Sequence, residues 1–210
     1  MKNSVVNTGR LLGAGLRALL VLTLLTGVVY PLAVTGVAQA LFDDKTNGSE
    51  IEADGKVAGS SLIGQQGYSA DHFQPRPANG LGENSVNTRY ELILSGATNR
   101  SGDNAELITW VKEAKAEVVE ENSTADHTVE PSEVPADAVT SSGSGLDPHI
   151  SPEYAEIQVH RVADRNGLPV AEVRKLVDEH IEGRTLGFMG EPRVNVLELN
   201  IALEELLARS

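Results

Sequence analysis

The sequence predicts an α+β protein: one N-terminal transmembrane helix followed by a single mixed α+β domain outside the cytoplasm. Residues 18–42 are uncharged, and the rest of the chain is long enough to bury a core of its own. In that remainder helical patterns outnumber strand patterns, and the strand patterns come early instead of alternating with helices. We therefore expect a cytoplasmic N-terminus over residues 1–14, a membrane helix over 15–40 and a globular domain over 41–210.

The uncharged stretch has the length of a membrane span. At about 1.5 Å per residue, a helix over residues 18–42 reaches roughly 37 Å, more than the hydrocarbon core of about 30 Å. Pro31 lies near the outer end, where a membrane helix tolerates proline, and Tyr30 is placed as an interfacial anchor. The lipid bilayer is therefore one expected partner.

Flanking charges predict the orientation of this helix. Lys2, Arg10 and Arg17 are the only charged residues before Asp43, whereas acidic residues crowd the far side. The positive-inside rule then places the N-terminus in the cytoplasm and the body outside. The alternative is a signal peptide cleaved after Ala38-Gln39-Ala40, but the apolar region exceeds the about 7–15 residues usual for that role.

Composition excludes several classes of function. The net charge is −13, and the chain from Asp43 onward, with 30 acidic and 14 basic residues, carries −16. Such a body repels nucleic acid and offers no basic stripe, so we expect no nucleic-acid partner. The absence of cysteine excludes disulfides, zinc-thiolate sites and cysteine nucleophiles. His127 has no neighbouring ligand at suitable spacing, so no metal site is predicted.

The first half of the body combines short strands, loops and one helix. Residues 56–69 are predicted to form short strands joined by a turn, and residues 72–85 a loop. Within that loop Phe73, Arg76 and Pro77 form either a contact surface or a plain connector. A helix is predicted over residues 105–121, with Trp110 favoured as a core residue over a contact residue. Residues 122–136 are acidic and rich in proline, which indicates a linker or flexible loop.

Three helices are predicted after residue 150. The first begins at Ser151-Pro152 and ends at Asn166-Gly167, because serine caps, first-turn proline and terminal glycine are typical of helix ends. The second starts at Pro169 and ends near Gly183. The third has Asn195 as its cap. The residues expected to face inward are Val170, Val173, Leu176, Val177, Val196, Leu199, Leu203, Leu206 and Leu207.

The stretch SSGSGLDPHISP, from Ser141 to Pro152, is the main candidate for chemistry. Ser144, Asp147 and His149 are a serine, an acid and a base, but the glycine that opens a hydrolase elbow is missing. A turn ahead of a helix explains more of these residues, and Gly143 and Gly145 permit positive φ angles. An anion bound at the helix start is a weaker alternative, because the P-loop ending is absent. We therefore predict no catalytic residues here.

Several ordered blocks carry a resemblance to a known family. They are VVYPL (residues 28–32) with Gln39, GSSLIGQ (59–65), FQPRPA (73–78), PADAVTSSGSGLDPHISPEYAEIQVHRVA (135–163) and EPRVNVLELNIAL (191–203). Together they span nearly the whole chain, which resembles the C subunit of the Kdp potassium-transporting P-type ATPase. Residues 95–103, SGATNRSGD, depart from the family's usual SGGSNLGP.

The resemblance implies an accessory, non-catalytic subunit of a high-affinity, ATP-driven potassium importer. Its implied partners are a channel-like potassium-translocating subunit, a P-type ATPase subunit and a very small membrane subunit. The family is described as a catalytic chaperone that raises the ATPase subunit's affinity for ATP, so ATP is implied by resemblance alone. The alternatives are a membrane-anchored hydrolase, or a binding module centred on Ser141–Pro152.

The resemblance also marks positions on this chain. In the glycine-rich turn and the helix start they are Gly143, Ser144, Gly145, Leu146, Asp147, Pro148, His149, Ser151 and Pro152. Elsewhere they are Tyr30, Pro31, Gln39, Gly64, Gln65, Arg76, Pro77, Arg161, Glu191, Pro192, Asn195 and Asn200. For a subunit of a complex we further expect the small residues Gly27, Thr35 and Gly36 to pack against neighbouring membrane helices; the alternative is that they face lipid.

Overall fold

A computed structural model describes residues 2–53, 55–77, 81–82, 92–93, 95–96 and 99–209. The chain divides into two compact units, Met1–Ser49 and Glu50–Ser210. It mixes helix and strand, as predicted, and among the described residues one helix is long and apolar enough to cross a membrane.

The first unit is helical. Helix α1 (Lys2–Leu24) continues through a π-helical turn (Leu25–Val29) into α2 (Tyr30–Leu41), and the short α3 (Asp43–Thr46) follows. The Tyr30 backbone N–H donates to the Leu25 carbonyl across the widened turn. Proline cannot donate its own N–H, and a π-helical turn is one way for a helix to continue past it. The stretch from Val6 to Leu41 has no buried residue.

The described residues of the second unit form three small antiparallel sheets. Strand β1 (Glu50–Ala53) pairs with β2 (Lys56–Ser60), and β3 (Leu81–Gly82) pairs with β4 (Leu92–Ile93). The third sheet has the order β5-β7-β6, built from β5 (His149–Ile150), β6 (Ile181–Glu182) and β7 (Arg193–Asn195). The prediction placed the strands early in the body and missed β5, β6 and β7. Residues 61–69 were expected to contain a second strand, but they form a turn and irregular backbone.

The described part of the second unit also has four helices, of which α5 and α7 contact β7: α4 (Ala105–Asn122), α5 (Pro152–Asn166), α6 (Val170–Glu179) and α7 (Val196–Leu207), with a 3₁₀ turn at Ala136–Ala138. The predicted helix starts are confirmed. The Ser151 hydroxyl accepts from the Tyr154 N–H, and Asn195 accepts from the Leu197 and Glu198 N–H groups. The predicted end of α5 is confirmed too, because Gly167 adopts the left-handed conformation at φ 66°.

The core lies where α5, α6 and α7 meet. Phe73, from the loop before α4, is fully buried there together with Val159 and Leu199. Tyr154 begins the buried face of α5, and burial raises the pKa of its hydroxyl to about 12. The inward positions predicted for α6 and α7 belong to this core or pack against it, apart from Leu206, which is half-buried.

Two predictions about individual residues need correction or detail. Trp110 is 41% exposed, so the prediction that it is a core residue was wrong. The segment over residues 122–136 is polar, yet it contributes the buried Asn122, Val129 and Val134 to the packing of the second unit. Two apolar anchors spaced five apart give no helix or strand period, which is why the pattern did not reveal them.

Candidate functional site

The glycine turn, residues Ser141–Asp147, is held by its own polar atoms. The Gly145 N–H donates to the Ser142 hydroxyl at 2.9 Å, and the Leu146 N–H donates to the Ser144 hydroxyl at 3.2 Å. The two serine hydroxyls lie 3.1 Å apart. Gly145 has φ 68° as expected, whereas Gly143 is not among the residues with positive φ.

Distant segments attach to this turn through backbone hydrogen bonds. The Gly64 N–H donates to the Leu146 carbonyl and the Gly96 N–H to the Ser144 carbonyl, each at 2.8 Å. Gly64 is buried, and a Cβ built on it would lie 2.8 Å from the Asp147 carbonyl oxygen. Glycine is therefore required at position 64 for the chain to approach this closely.

Arg76 and Asp147 form the charged centre of the site. The Arg76 guanidinium donates to the Asp147 carboxylate at 2.9 Å and reaches the Thr140 carbonyl through two further N–H groups. The same carboxylate accepts from the His149 backbone N–H at 3.0 Å and lies 3.2 Å from His149 Nδ1. Burial raises the pKa of Asp147, but the hydrogen bonds from His149 and the charge of Arg76 outweigh it, so the pKa lies below its ordinary value.

An open groove of about 580 Å³ runs beside this ion pair. Its polar lining consists of Arg76, Asp137, Thr140, Asp147, His149, Ser151, Glu191 and Arg193, and Pro192 also contributes. Most of these charges are neutralised locally, since Arg76 pairs with Asp147 and Arg193 with Glu182 at 2.7 Å. The groove presents paired charges and backbone atoms to solvent.

The geometry does not assemble a serine nucleophile with its base. Asp147 and His149 are in contact, but among the described residues no hydrogen bond joins Ser144 to His149. The Ser144 hydroxyl is instead placed against Ser142 and the Leu146 N–H. A triad needs the nucleophile bonded to the base, so the arrangement is that of a turn.

Two helix caps connect the site to the rest of the unit. Ser151, the cap of α5, donates its hydroxyl and its backbone N–H to the Asp137 carboxylate at 2.8 and 2.7 Å. Asn195, the cap of α7, donates its side-chain amide to the Ser61 carbonyl at 2.9 Å. Pro148 lies between the two helices, and its carbonyl accepts from the Val196 N–H at 3.0 Å. The starts of α5 and α7 are thereby fixed to each other.

A second cluster of polar side chains is buried around Arg161. Its guanidinium donates to the Asn122 side chain at 2.9 Å, to Gln158 at 2.7 Å and to the His72 carbonyl at 2.9 Å, and it also contacts the Ala70 carbonyl. Burial lowers the pKa of Arg161, chiefly opposed by the charge of Glu121. These acceptors are the neutral oxygens of two side-chain amides and two backbone carbonyls, and through them Arg161 joins α4, α5 and the loop before Phe73.

Two side-chain amides form hydrogen bonds with the backbone of the loop at Phe73, as a neighbouring β-strand would. Asn200 accepts from the Phe73 N–H and donates to its carbonyl, both at 2.9 Å. Gln158 does the same for Gln74, at 2.6 and 3.1 Å. Each amide pairs with both the N–H and the carbonyl of one residue, which satisfies these backbone groups where the irregular segment enters the core.

The remaining predicted positions lie outside these clusters. Gln65 packs against Gly59, Pro77 lines a second groove, and Glu191 pairs with Arg184 at 2.6 Å.

Tyr30, Pro31 and Gln39 belong to α2, where the Gln39 amide donates to Asn47 at 3.1 Å. Gly27, Thr35 and Gly36 are exposed on the same apolar helix. Residues 97–98 of the divergent segment and Ala78 of the FQPRPA block lie outside the described residues.

The second groove, about 430 Å³, lies beside the glycine turn. It is lined by Pro77, Asn99, Arg100, Leu107, Trp110, Val111, Ala114 and residues 139–143. The Arg100 guanidinium lies 4.3 Å from the centre of the Trp110 ring. This cation–π contact covers part of the Trp110 ring at the edge of the groove.

Sequence reasoning missed several of these residues. Gln158 and Asn122 were not singled out, although Gln158 lies between Ile157 and Val159 and one helical turn before the buried Arg161. A polar amide on a buried helix face is the signal that indicates such a network. His160 was missed as well; it stacks on His127 with ring centres 3.8 Å apart. In the described part of the chain no cluster of three or more histidine or acidic side chains is placed to hold a metal ion.

Comparison with known proteins extends over the whole chain. The family model of the K+-transporting ATPase c chain, KdpC, matches residues 12–205. A potassium-transporting ATPase KdpC subunit of Streptomyces avermitilis is 72% identical, with 100% of each chain covered, and that of Streptomyces coelicolor is 67% identical over 99% of this chain and 98% of the relative. The KdpC subunit of Caldanaerobacter subterraneus is 48% identical, covering 89% of this chain and 90% of the relative. The chain therefore belongs to the KdpC family, the c chains of K+-transporting ATPases.

Proposed function

We propose that this chain is the non-catalytic accessory subunit of a potassium-importing P-type ATPase complex, anchored by one membrane helix with its body outside the cytoplasm. Its partners are a channel-like potassium-translocating subunit, the ATPase subunit and a very small membrane subunit. The observation that carries the proposal is the apolar stretch Val6–Leu41, which has no buried residue in a chain that belongs to the KdpC family. Lipid and neighbouring membrane helices would cover it.

Charge supports the proposed orientation. The bases Arg10 and Arg17 precede the uncharged stretch, whereas Asp43 and Asp44 follow it directly. Bases remain on the cytoplasmic side of membrane helices, so the body from Glu50 onward lies outside.

A non-catalytic role agrees with the way the polar groups of the site are used. Asp147 is engaged by Arg76 and His149, and Ser144 by its own turn. Catalytic groups need a free face toward a substrate, whereas these groups connect segments that are far apart in the sequence.

We infer that this subunit raises the ATP affinity of its partner without touching ATP. A body outside the cell has no contact with cytoplasmic nucleotide, so its effect must arise from binding one conformation of the complex more tightly than another. Coupling of this kind typically changes an affinity by about 5–150-fold.

Purification of the assembled complex tests both proposals. An affinity tag on this chain is expected to recover the other subunits, and deletion of residues 1–41 is expected to abolish recovery. The complex with this chain should bind ATP more tightly than the remaining subunits alone, while the purified chain alone should show no heat of ATP binding in calorimetry. Recovery without the membrane helix, or ATP binding by the isolated chain, would contradict the account.

A further inference from the structure

The loop between β6 and β7 carries an exposed apolar tip, defined here as Leu186, Phe188 and Met189. Their exposed fractions are 78%, 72% and 45%. Polar or charged residues flank the tip on both sides in the sequence GRTLGFMGEPR. Single exposed apolar side chains are common on protein surfaces, but three within four residues form an exposed apolar patch, which is typical of an interaction site.

Backbone hydrogen bonds hold the tip in one conformation. Thr185 and Met189 form a bridge, with the Thr185 N–H donating to the Met189 carbonyl at 2.9 Å and the reverse bond at 3.0 Å. The Gly187 N–H also donates to the Arg184 carbonyl at 2.9 Å. Because these bonds fix the loop in the free chain, its side chains are already exposed in one arrangement, and less conformational entropy is lost when a partner binds.

Leu186 has a strained backbone conformation as well as an exposed side chain. Its φ is 55°, a left-handed conformation that is unfavourable for a residue with a side chain, and Gly187 follows at φ 81°. The Leu186 side chain is largely in solvent, so its own burial does not offset this strain. A strained backbone that presents an apolar side chain to water is typical of a binding element.

The charges around the tip discriminate between occupants. The only two arginines between Ile181 and Asn195 are already paired, Arg184 with Glu191 at 2.6 Å and Arg193 with Glu182 at 2.7 Å. No free base is left for lipid phosphates, and the segment lacks the tryptophan and tyrosine that anchor proteins at a bilayer surface. The charge of −16 on residues 43–210 also repels acidic headgroups and a second copy of this chain.

We propose that the apolar tip inserts into an apolar pocket, surrounded by basic residues, on another protein subunit of the transporter complex. The proposal rests on the proposed function, since it requires a complex. Leu186 and Phe188 are the anchors, and the net charge of −16 on residues 43–210 is attracted to the basic residues around the pocket.

The first test replaces the anchors in the full-length chain. The double variant Leu186→Gly and Phe188→Ser is expected to lower recovery of the partner subunits by about tenfold, because loss of two interface anchors has effects of this size. Its melting temperature in detergent should equal or exceed that of the wild type, since the two side chains that are replaced are 78% and 72% exposed. The control is Val57→Ser, which removes another exposed apolar side chain (56% exposed) from β2 and should leave recovery unchanged.

A photo-crosslinking residue at position 188, activated in native membranes, identifies the occupant. A covalent product with another subunit supports the proposal. Products with lipid alone, a product with a second copy of this chain, or no product would overturn it. If the wild type recovers its partners and the double variant does so equally well, this inference alone fails; if the wild type recovers none, the proposed function fails with it.

Discussion

Arg161 shows how one residue organises the second unit. It lies in α5 and is buried, yet its partners are amide and carbonyl oxygens from α4, from its own helix and from the loop before Phe73. A planar guanidinium donates in several fixed directions at once, which lysine cannot do. The contacts of Arg161 therefore give a structural reason for an arginine at this position.

Arg161→Lys tests this role. Arg161 donates to four acceptors in different directions, and a lysine ammonium cannot reach all of them, so we expect the free energy of unfolding to fall by about 2–4 kcal/mol. Urea unfolding of the full chain in detergent measures the change. Arg165→Lys, an exposed arginine one turn later in α5, is the matched control and should change the free energy little. Equal effects of the two variants would contradict the assignment.

Gly64→Ala tests the close approach of two chain segments. The added methyl group would meet the Asp147 carbonyl at 2.8 Å, and we expect a loss of about 1–3 kcal/mol in the free energy of unfolding. Gly143→Ala is the control, because a Cβ at Gly143 meets no atom within 4 Å and its φ is not positive. A Gly64→Ala variant as stable as Gly143→Ala would show that the segments are not in contact.

Asp147 predicts an acid-sensitive contribution to stability. Its pKa in the folded chain lies below its ordinary value of about 3.9, so the contribution is present above about pH 4 and is lost as the pH falls through the folded-state value. Asp147→Asn should be less stable than wild type at pH 7. The difference should shrink below pH 4 in urea titrations. If the difference in the free energy of unfolding between Asp147→Asn and the wild type did not change with pH, it would contradict a contribution of the ionised carboxylate to stability.

At the scale of elements, α5 joins the segment over residues 122–136 through a histidine stack. His160 of α5 and His127 of the segment lie with their rings 3.8 Å apart and inclined by 10°. Burial, then His127 and Arg174, lower the pKa of His160. Two protonated rings cannot stay stacked at this distance without repulsion, so the contact requires that at least one be neutral.

This stack predicts weakening toward mild acid. Because the folded-state pKa of His160 is below the unfolded value of about 6.5, the unfolded chain binds more protons, and stability falls as the pH drops through that value. His160→Phe keeps a flat ring against His127 but does not titrate. Its free energy of unfolding should change less between pH 7.5 and 5.5 than that of the wild type. Identical pH profiles would contradict a role for His160.

Elements with strong end signals could be predicted from the sequence, and those without could not. Ser151-Pro152 and Asn166-Gly167 locate both ends of α5, because the signals are local. Strands β5 and β6 have two residues each, too few to show alternation, and their pairing with β7 depends on residues about 10 to 45 positions away. In the site the turn was predicted and the resemblance marked Asn200, but the binding of Phe73 by Asn200 and of Gln74 by Gln158 was not predicted, since each pair is over 80 residues apart.

At the scale of the whole molecule, the sequence divides by charge. The part before Asp43 carries only basic charge, and the part from Asp43 onward carries −16. This asymmetry predicts that the second unit lies outside the cytoplasm. From that side the subunit can influence ATP binding only through the conformation of the complex. The family assignment alone leaves that side undetermined.

Thiol labelling in intact cells tests this central claim most directly, and the absence of native cysteine makes each introduced thiol unambiguous. Ser144→Cys places a thiol on the exposed glycine turn, and Asn7→Cys places one before the uncharged stretch. With a membrane-impermeant maleimide, the account predicts labelling at position 144 in intact cells and at position 7 only after lysis. Labelling at position 7 in intact cells, with position 144 protected until lysis, would contradict it.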